Sequence, residues 1–270
     1  MSTKRRGKKS KLFLTLIILL SVIIVFFGKL FLDAIYVPVI LMYHSVRGGE
    51  KLLEGYDQKL VVDLETFQRQ MKFLRDWNYK VIPLADFMEM VKAGERIPRK
   101  TVAITFDDGF RDNYLYAYPV LKEYGFPATI FVLINLIGKR NFLTWEDIRR
   151  MEKDIISIGS HTLSHAWLPD LDENSLRREL LESKRILERN TGQKVVSLSY
   201  PLGAFNERVK SLARESGYIG AVATNPGRKK SKDDPYALKR IRISMSSENM
   251  FAFWGETSGY YTFIKEIRDD

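Results

Sequence analysis

Cysteine is absent from all 270 residues. No disulfide framework can hold the chain, no disulfide-linked partner is expected, and an anchor built on a lipid-modified cysteine is excluded. Stability must therefore come from an apolar core, and the length suffices for one substantial domain. Histidine is scarce, with only His44, His161 and His165 and none in the last hundred residues. A basic patch interleaved with aromatics is also missing, so nucleic acid is not an expected partner despite the net charge of +10. Lys4, Arg5, Arg6, Lys8, Lys9 and Lys11 carry six of those charges, leaving +4 for everything that follows. The later basic stretch from Arg228 to Asp234 reads as a solvated loop, and there is neither an internal repeat nor a low-complexity linker.

What the chain does have is one long hydrophobic run, from Leu12 to Gly28, continuing past Lys29 as Leu30-Phe31-Leu32. Its length matches the roughly 20 residues that span a bilayer as a helix. The basic cluster before it predicts a cytoplasmic tail over 1–11, a signal anchor over 12–32 and an extracytoplasmic domain over 37–270. A cleaved signal peptide, giving a secreted protein, is the competing reading; no Ala-x-Ala-like cleavage site follows the run.

Beyond the anchor, short apolar runs alternate with amphipathic stretches. Strands are expected at Val37–Met42, Tyr79–Ile82, Thr101–Phe106, Pro127–Ile134, Ile155–Ile158, Val195–Tyr200, Tyr218–Thr224 and Leu238–Ser244. Between them, Asp63 caps a helix with Phe67, Met71 and Leu74 on one face. Further helices are expected over Leu84–Lys92, Asn113–Tyr124 (stopped by Gly125), Trp145–Met151 (capped by Thr144), Asp172 to Thr191, and Glu207–Ser216. This alternation predicts an α/β domain with a largely parallel sheet.

Chemistry-bearing residues fall just after strands, where α/β barrels place their active sites. Thr105-Phe106-Asp107-Asp108-Gly109 ends a buried strand with two carboxylates, which are costly there without partners. One carboxylate holding a metal and the other moving a proton would account for them; an Asp-Asp-Gly turn is the simpler alternative. His161-Thr162-Leu163-Ser164-His165 sets two imidazoles four positions apart, on one side of a turn or helix start, where they can share a cation. With one of the carboxylates they make a site of two imidazoles and one carboxylate. Zinc is the default occupant, with other divalent first-row ions such as cobalt or nickel also suited. In Ser199-Tyr200-Pro201-Leu202-Gly203 the Pro and Gly fix the loop, so that a backbone N–H can point into the site.

These three motifs, in this order and at these intervals, resemble the polysaccharide deacetylases of carbohydrate esterase family 4, over nearly the whole chain from Val37 to Ser244. The resemblance implies a distorted (β/α)7-type barrel and metal-dependent hydrolysis of acetyl groups on amino sugars. It assigns Asp107 as general base and Asp108, His161 and His165 as metal ligands. Two departures stand out: Ser199 occupies the place of an Arg in the common form, and the late Leu-x-His that supplies the acid is missing. Met42-Tyr43-His44-Ser45-Val46 instead resembles the circularly permuted branch, in which the early His44 is the acid. In that branch a late Arg orients the base, here Arg240, although Arg242 lies on the same face of the expected strand. The branch includes deacetylases of poly-β-1,6-N-acetyl-D-glucosamine, a biofilm exopolysaccharide.

The resemblance thus implies an enzyme whose partners are an N-acetylglucosamine polysaccharide and, through the anchor, the membrane. The backbone N–H of Leu202 is expected to face the oxyanion, and Tyr200 and Pro201 to line the substrate. Peptidoglycan or chitin-like oligomers are alternative substrates, and a non-catalytic polysaccharide-binding protein is the alternative of another class. Trp167 and Trp254 are candidate sugar platforms.

Overall fold

The structure is a computed structural model describing residues 3–48, 57–224 and 234–262. It contains two compact units, Met1–Val37 and Pro38–Asp270. The Gly49–Gly55 part of the first loop and residues 228–233 of the basic stretch lie outside the described residues.

The first unit is a single helix, α1 (Thr3–Ile35). Its segment Phe13–Ile35 has 23 residues and a mean hydropathy of 2.7. At 1.5 Å per residue such a helix is about 35 Å long, enough to cross a bilayer core.

The second unit opens with β1 (Val39–Tyr43), β2 (Ser45–Arg47), β3 (Val61–Asp63), α2 (Leu64–Asp76), β4 (Lys80–Val81) and α3 (Leu84–Lys92). It continues through β5 (Thr101–Phe106), α4 (Tyr118–Tyr124), β6 (Ala128–Val132), α5 (Trp145–Glu152), β7 (Ile156–Ser160), α6 (Glu173–Arg177) and α7 (Ser183–Thr191). The last elements are β8 (Ser197–Ser199), α8 (Glu207–Glu215), β9 (Gly220–Ala223), β10 (Leu238–Lys239), β11 (Ile241–Arg242) and α9 (Met250–Thr257). The expected caps form: the Asp63 carboxylate accepts from Glu65 N and Thr66 N, and Thr144 closes a capping box with Asp147.

All pairings in the main sheet are parallel, in the order β10-β9-β8-β7-β6-β5-β1-β11, with β4 added beside β5. The two ends of this order, β10 and β11, are consecutive in the chain and separated by Arg240 alone. One bent segment thus borders β9 on one side and β1 on the other, and the sheet comes close to closing as a barrel of seven staves. The seam of that barrel is Arg240.

Strand alternation sorts the side chains. Val39, Leu41, Val102, Ile104, Ile130 and Ile156 join the large cluster beneath the helices. Ile40, Ala103, Phe131, Val222 and Leu238 join a smaller inner cluster, which Leu84, Phe87 and Met88 of α3 complete. Near the C-terminal ends of the strands the inward positions become polar: Thr105, Asp107, His161, Ser199 and Arg240.

Several expected boundaries shift for local reasons. The final strand breaks at Arg240 instead of running unbroken to Ser244. The helix expected from Asn113 begins as a π-helical turn, Asn113–Ala117, in which Tyr118 N donates to Asn113 O, and Pro119 then sits in the first turn of α4, where a missing N–H is tolerated. A second π turn, Arg178–Glu182, separates α6 from α7 within the helix expected from Asp172. The strands β2 and β3, paired with each other, were not expected; three residues each is too short for a periodic signal.

Gly159 in β7 faces the Phe131 ring: a Cβ built there would lie 2.5 Å from Phe131 Cε1 and 2.9 Å from the Ser197 hydroxyl. Gly159→Ala is expected to destabilise the domain by about 1–3 kcal/mol. Adding Phe131→Leu should recover part of that loss in thermal or urea melts, and strict additivity of the two changes would contradict the packing described.

Candidate active site

Three loops and the barrel seam meet at the C-terminal ends of the strands. Their backbones extend the parallel ladders past the strand ends: Asp107 N donates to Tyr43 O at 3.0 Å, and His161 N to Val132 O at 3.0 Å. Strand geometry therefore fixes the roots of both motifs. The loops themselves are unusual. Of the seven non-glycine residues with positive φ among the described residues, four lie here: Asp108 (70°), Thr162 (70°), His165 (64°) and Leu202 (57°). Such conformations cost of order 1–3 kcal/mol each and cluster at functional sites.

Asp107 and Asp108 part company at this junction. Asp107 continues the inward alternation of Ala103 and Thr105 and is 2% exposed. Both its oxygens are taken by Arg240, at 2.7 Å from Nη1 to Oδ1 and 2.6 Å from Nη2 to Oδ2. The guanidinium also donates to Thr105 Oγ1 (3.1 Å) and Ser199 Oγ (2.9 Å), and Ser199 Oγ donates to Asp107 Oδ2 (3.2 Å). Beneath it lies the Phe131 ring, its centroid 5.6 Å from Arg240 Cζ. Burial alone would raise the Asp107 carboxyl, but the Arg240 charge, joined by His161 and His44, outweighs burial and holds it far below the usual carboxylate range. Arg242, by contrast, is exposed. Of the two arginines, Arg240 is the one turned into the barrel.

Asp108 rotates away through its left-handed backbone toward the imidazoles. Its Oδ1 lies 3.4 Å from His161 Nε2 and 3.9 Å from His165 Nε2. One ligand atom from each of the three side chains fits within 4.8 Å of the others. The two rings meet edge to face with centroids 4.9 Å apart, arranged by a turn and not by a helix. His161 Nδ1 lies 2.8 Å from Ser199 O. A carbonyl only accepts, so in the neutral ring Nδ1 carries the proton and the Nε2 lone pair is left for the space between the three ligand atoms, where a cation would sit. Burial lowers the His161 imidazole, but Asp107 and Asp108 outweigh it and raise the pKa overall. His165 is lowered by burial and then by the neighbouring His161. Two imidazole nitrogens and one carboxylate, converging with an open side, fit a divalent cation with positions left for water and substrate.

His44 follows β1, nine-tenths buried, and its Nδ1 makes no hydrogen bond within the protein. Burial pushes its pKa down, while Asp107 and Asp108 pull it back up. Its backbone is pinned from behind, since Asn113 Nδ2 donates to His44 O at 2.8 Å.

The third loop is a 3-10 turn over Pro201–Gly203, with the Leu202 side chain 64% exposed. Gly203 is required, because a Cβ there would lie 2.8 Å from Thr224 N. Tyr200 and Pro201, expected to line the substrate, are both buried beside this turn. Strand parity turns Ser199 inward and Tyr200 outward, and Tyr200 is fully buried with its hydroxyl donating to Tyr236 O at 3.0 Å. Pro201 is buried as well. Trp167 and Trp254 are both exposed, the latter against Phe251 with centroids 5.5 Å apart.

Sequence reasoning noted Ser199 only as the place of a missing Arg; the structure gives it a bridging position between Arg240 and Asp107. Thr105 and Phe131 were passed over too. For Thr105 the signal was available, since residues two apart on a strand share a face.

The polysaccharide deacetylase family model matches residues 94–221. A relative from Bacillus subtilis (strain 168), named "Putative polysaccharide deacetylase YxkH", is 38% identical over 205 residues, covering 76% of this chain and 71% of that protein. The poly-beta-1,6-N-acetyl-D-glucosamine N-deacetylase of Staphylococcus aureus (strain MRSA252) is 26% identical over 241 residues, covering 79% and 81%. Among solved structures, the Streptococcus pyogenes deacetylase PplD in complex with acetate superposes with a TM-score of 0.72 at 29% identity, covering 80% of this chain and 97% of that one. These similarities make the chain, a seven-stave parallel barrel with an Asp-His-His cluster at its open end, a member of the polysaccharide deacetylases of carbohydrate esterase family 4, hydrolases of amide C–N bonds, in their circularly permuted branch.

Proposed function

We propose that this chain is a membrane-anchored, extracytoplasmic N-deacetylase acting on N-acetylglucosamine units, with poly-β-1,6-N-acetyl-D-glucosamine as its polymer. The observation that carries the reading is the division between the two neighbouring carboxylates: Asp107 is locked on Arg240, while Asp108 faces His161 and His165. The Staphylococcus aureus relative supports the choice of polymer. The apolar run Phe13–Ile35 supports the anchor.

In this mechanism Asp108, His161 and His165 would hold a divalent cation, zinc by donor type, with cobalt or nickel also suited. When bound it supplies Lewis acidity toward the acetamide carbonyl and toward water. Asp107 accepts the proton of the attacking water. Its pairing with Arg240 makes it a weak base in the resting site but keeps it ionised and fixed in direction, so the acceptor is always ready. The backbone N–H of Leu202, held by the Pro201–Gly203 turn, faces the oxygen that becomes negative. His44 delivers a proton to the departing sugar amine, leaving acetate and a free amine. Its Nδ1 is a buried polar atom with no hydrogen-bond partner inside the protein, which leaves it available to the substrate.

Asp107→Asn is expected to abolish acetate release while keeping the metal, and His44→Ala to keep the metal but lose about 10²–10⁴-fold in rate. Acetate release measured beside metal content checks both, and a wild-type rate in either variant removes that residue from the mechanism. Exhaustive chelation should abolish turnover and zinc, cobalt or nickel should restore it; activity persisting in metal-free protein would end the metal reading. Release should favour β-1,6-linked over β-1,4-linked N-acetylglucosamine oligomers. The reverse preference would move the substrate to peptidoglycan or chitin-like glycans, and no release from either would favour a binding protein.

Arg240→Met should destabilise the domain by about 3–5 kcal/mol at neutral pH, because it strands a buried carboxylate. The folded pKa of Asp107 lies below its unfolded value near 3.9. The pair's contribution is therefore fully present above pH ~4 and is lost as the pH falls toward the folded value. Urea melts from pH 7 down to 3 should show the gap between wild type and variant narrowing at the acid end, and a gap that widens there would contradict the assignment.

A further inference from the structure

The loop carrying both histidines contains two strained residues, Thr162 and His165, on either side of Leu163-Ser164. Threonine is β-branched and avoids positive φ, so something outside the loop must hold this shape. The described hydrogen bonds say what does. Glu179 Oε2 accepts from Leu163 N (2.8 Å) and Ser164 N (3.1 Å), and Glu179 Oε1 accepts from the Ser164 hydroxyl (2.5 Å). One carboxylate thus takes three donors from the segment between the strained residues.

Glu179 lies in the π turn Arg178–Glu182, where the ordinary ladder of the helix is interrupted. Such turns leave carbonyls to be satisfied from elsewhere and recur at functional sites. Here the Ser183 hydroxyl lies 2.6 Å from Glu179 O and 3.0 Å from Leu180 O, and the Tyr218 hydroxyl donates to Leu180 O at 2.8 Å. The same Ser183 hydroxyl accepts from Ser160 Oγ (2.8 Å), which in turn accepts from Thr162 N (3.1 Å). The histidine loop is therefore tied to Glu179 twice, through its carboxylate and through a chain of hydroxyls ending on its carbonyl.

We infer that Glu179 is a positioning residue for the metal site, its carboxylate fixing Leu163-Ser164 and so the direction in which His165 presents its imidazole. This rests on the cation site proposed above. Removing the clamp lets Thr162 and His165 relax out of the left-handed region, and the third ligand is no longer preorganised. Outer partners of metal ligands are worth about 10–100-fold in metal affinity.

The test is isothermal titration of Zn²⁺ into metal-free full-length protein, for wild type, Glu179→Ala and Glu179→Gln, with amide hydrogen exchange of Leu163 and Ser164 followed in the same metal-free samples. Glu179→Ala should weaken Zn²⁺ about 10–100-fold and speed exchange at both amides, with the metal-free melting temperature nearly unchanged because the side chain is only partly buried. Glu179→Gln should restore most of the affinity, since its amide oxygen can accept both N–H groups while its amino group donates to Ser164 Oγ. Unchanged affinity and exchange in the alanine variant would overturn the inference. So would a glutamine variant as weak as alanine, which would make charge, not position, the contribution. A wild type that binds no Zn²⁺ would fail the metal reading instead, and the exchange data would still decide whether Glu179 orders the loop.

Discussion

The ion pair between Arg240 and Asp107 is the interaction on which the rest of this structure depends. Two charged groups, both nearly excluded from water, would be costly if either lacked its partner. Here each is satisfied several times over: two parallel hydrogen bonds join them, Thr105 and Ser199 take further donors, and the Phe131 face lies against the guanidinium. Arg240 is also the residue between β10 and β11, the two edges of the sheet. Closure of the barrel and orientation of the proposed base are therefore one event. A chain that failed to seat this arginine would leave both an open seam and a buried, unpaired carboxylate.

From that pair the division of labour follows. Because Arg240 occupies both oxygens of Asp107, only Asp108 is free to turn toward the imidazoles, and its left-handed backbone brings this about. The Ser199 segment then serves both halves: its hydroxyl bridges Arg240 and Asp107, and its carbonyl sets the tautomer of His161. The proposed proton acceptor and the proposed metal site share a wall without sharing a ligand. Glu179 supports the second half from outside the barrel as Arg240 supports the first from within.

Much of this was legible in the sequence, because strands impose a period of two and chemistry gathers where strands end. Asp107, Asp108, His161 and His165 stand out by motif and order, His44 joins them through the family resemblance, and the parallel α/β architecture followed from alternation. Less local features were not legible. Whether Arg240 or Arg242 turned inward depended on a break in the strand that both edges of the sheet impose. The burial of Tyr200 was not legible either: the motif marks the residue, but only strand parity shows that it lies one position out of phase with Ser199 and packs in the core. Glu179 was hidden because a π turn shifts the helix register, and no periodic pattern announces that shift.

The central claim is that the two adjacent carboxylates hold different partners. Anomalous diffraction from crystals of the protein loaded with zinc tests it most directly. The account predicts one strong peak about 2.0–2.2 Å from Asp108 Oδ, His161 Nε2 and His165 Nε2, with Asp107 still paired to Arg240. A cation ligated by Asp107, or an Arg240 displaced from it in the loaded protein, would contradict the account.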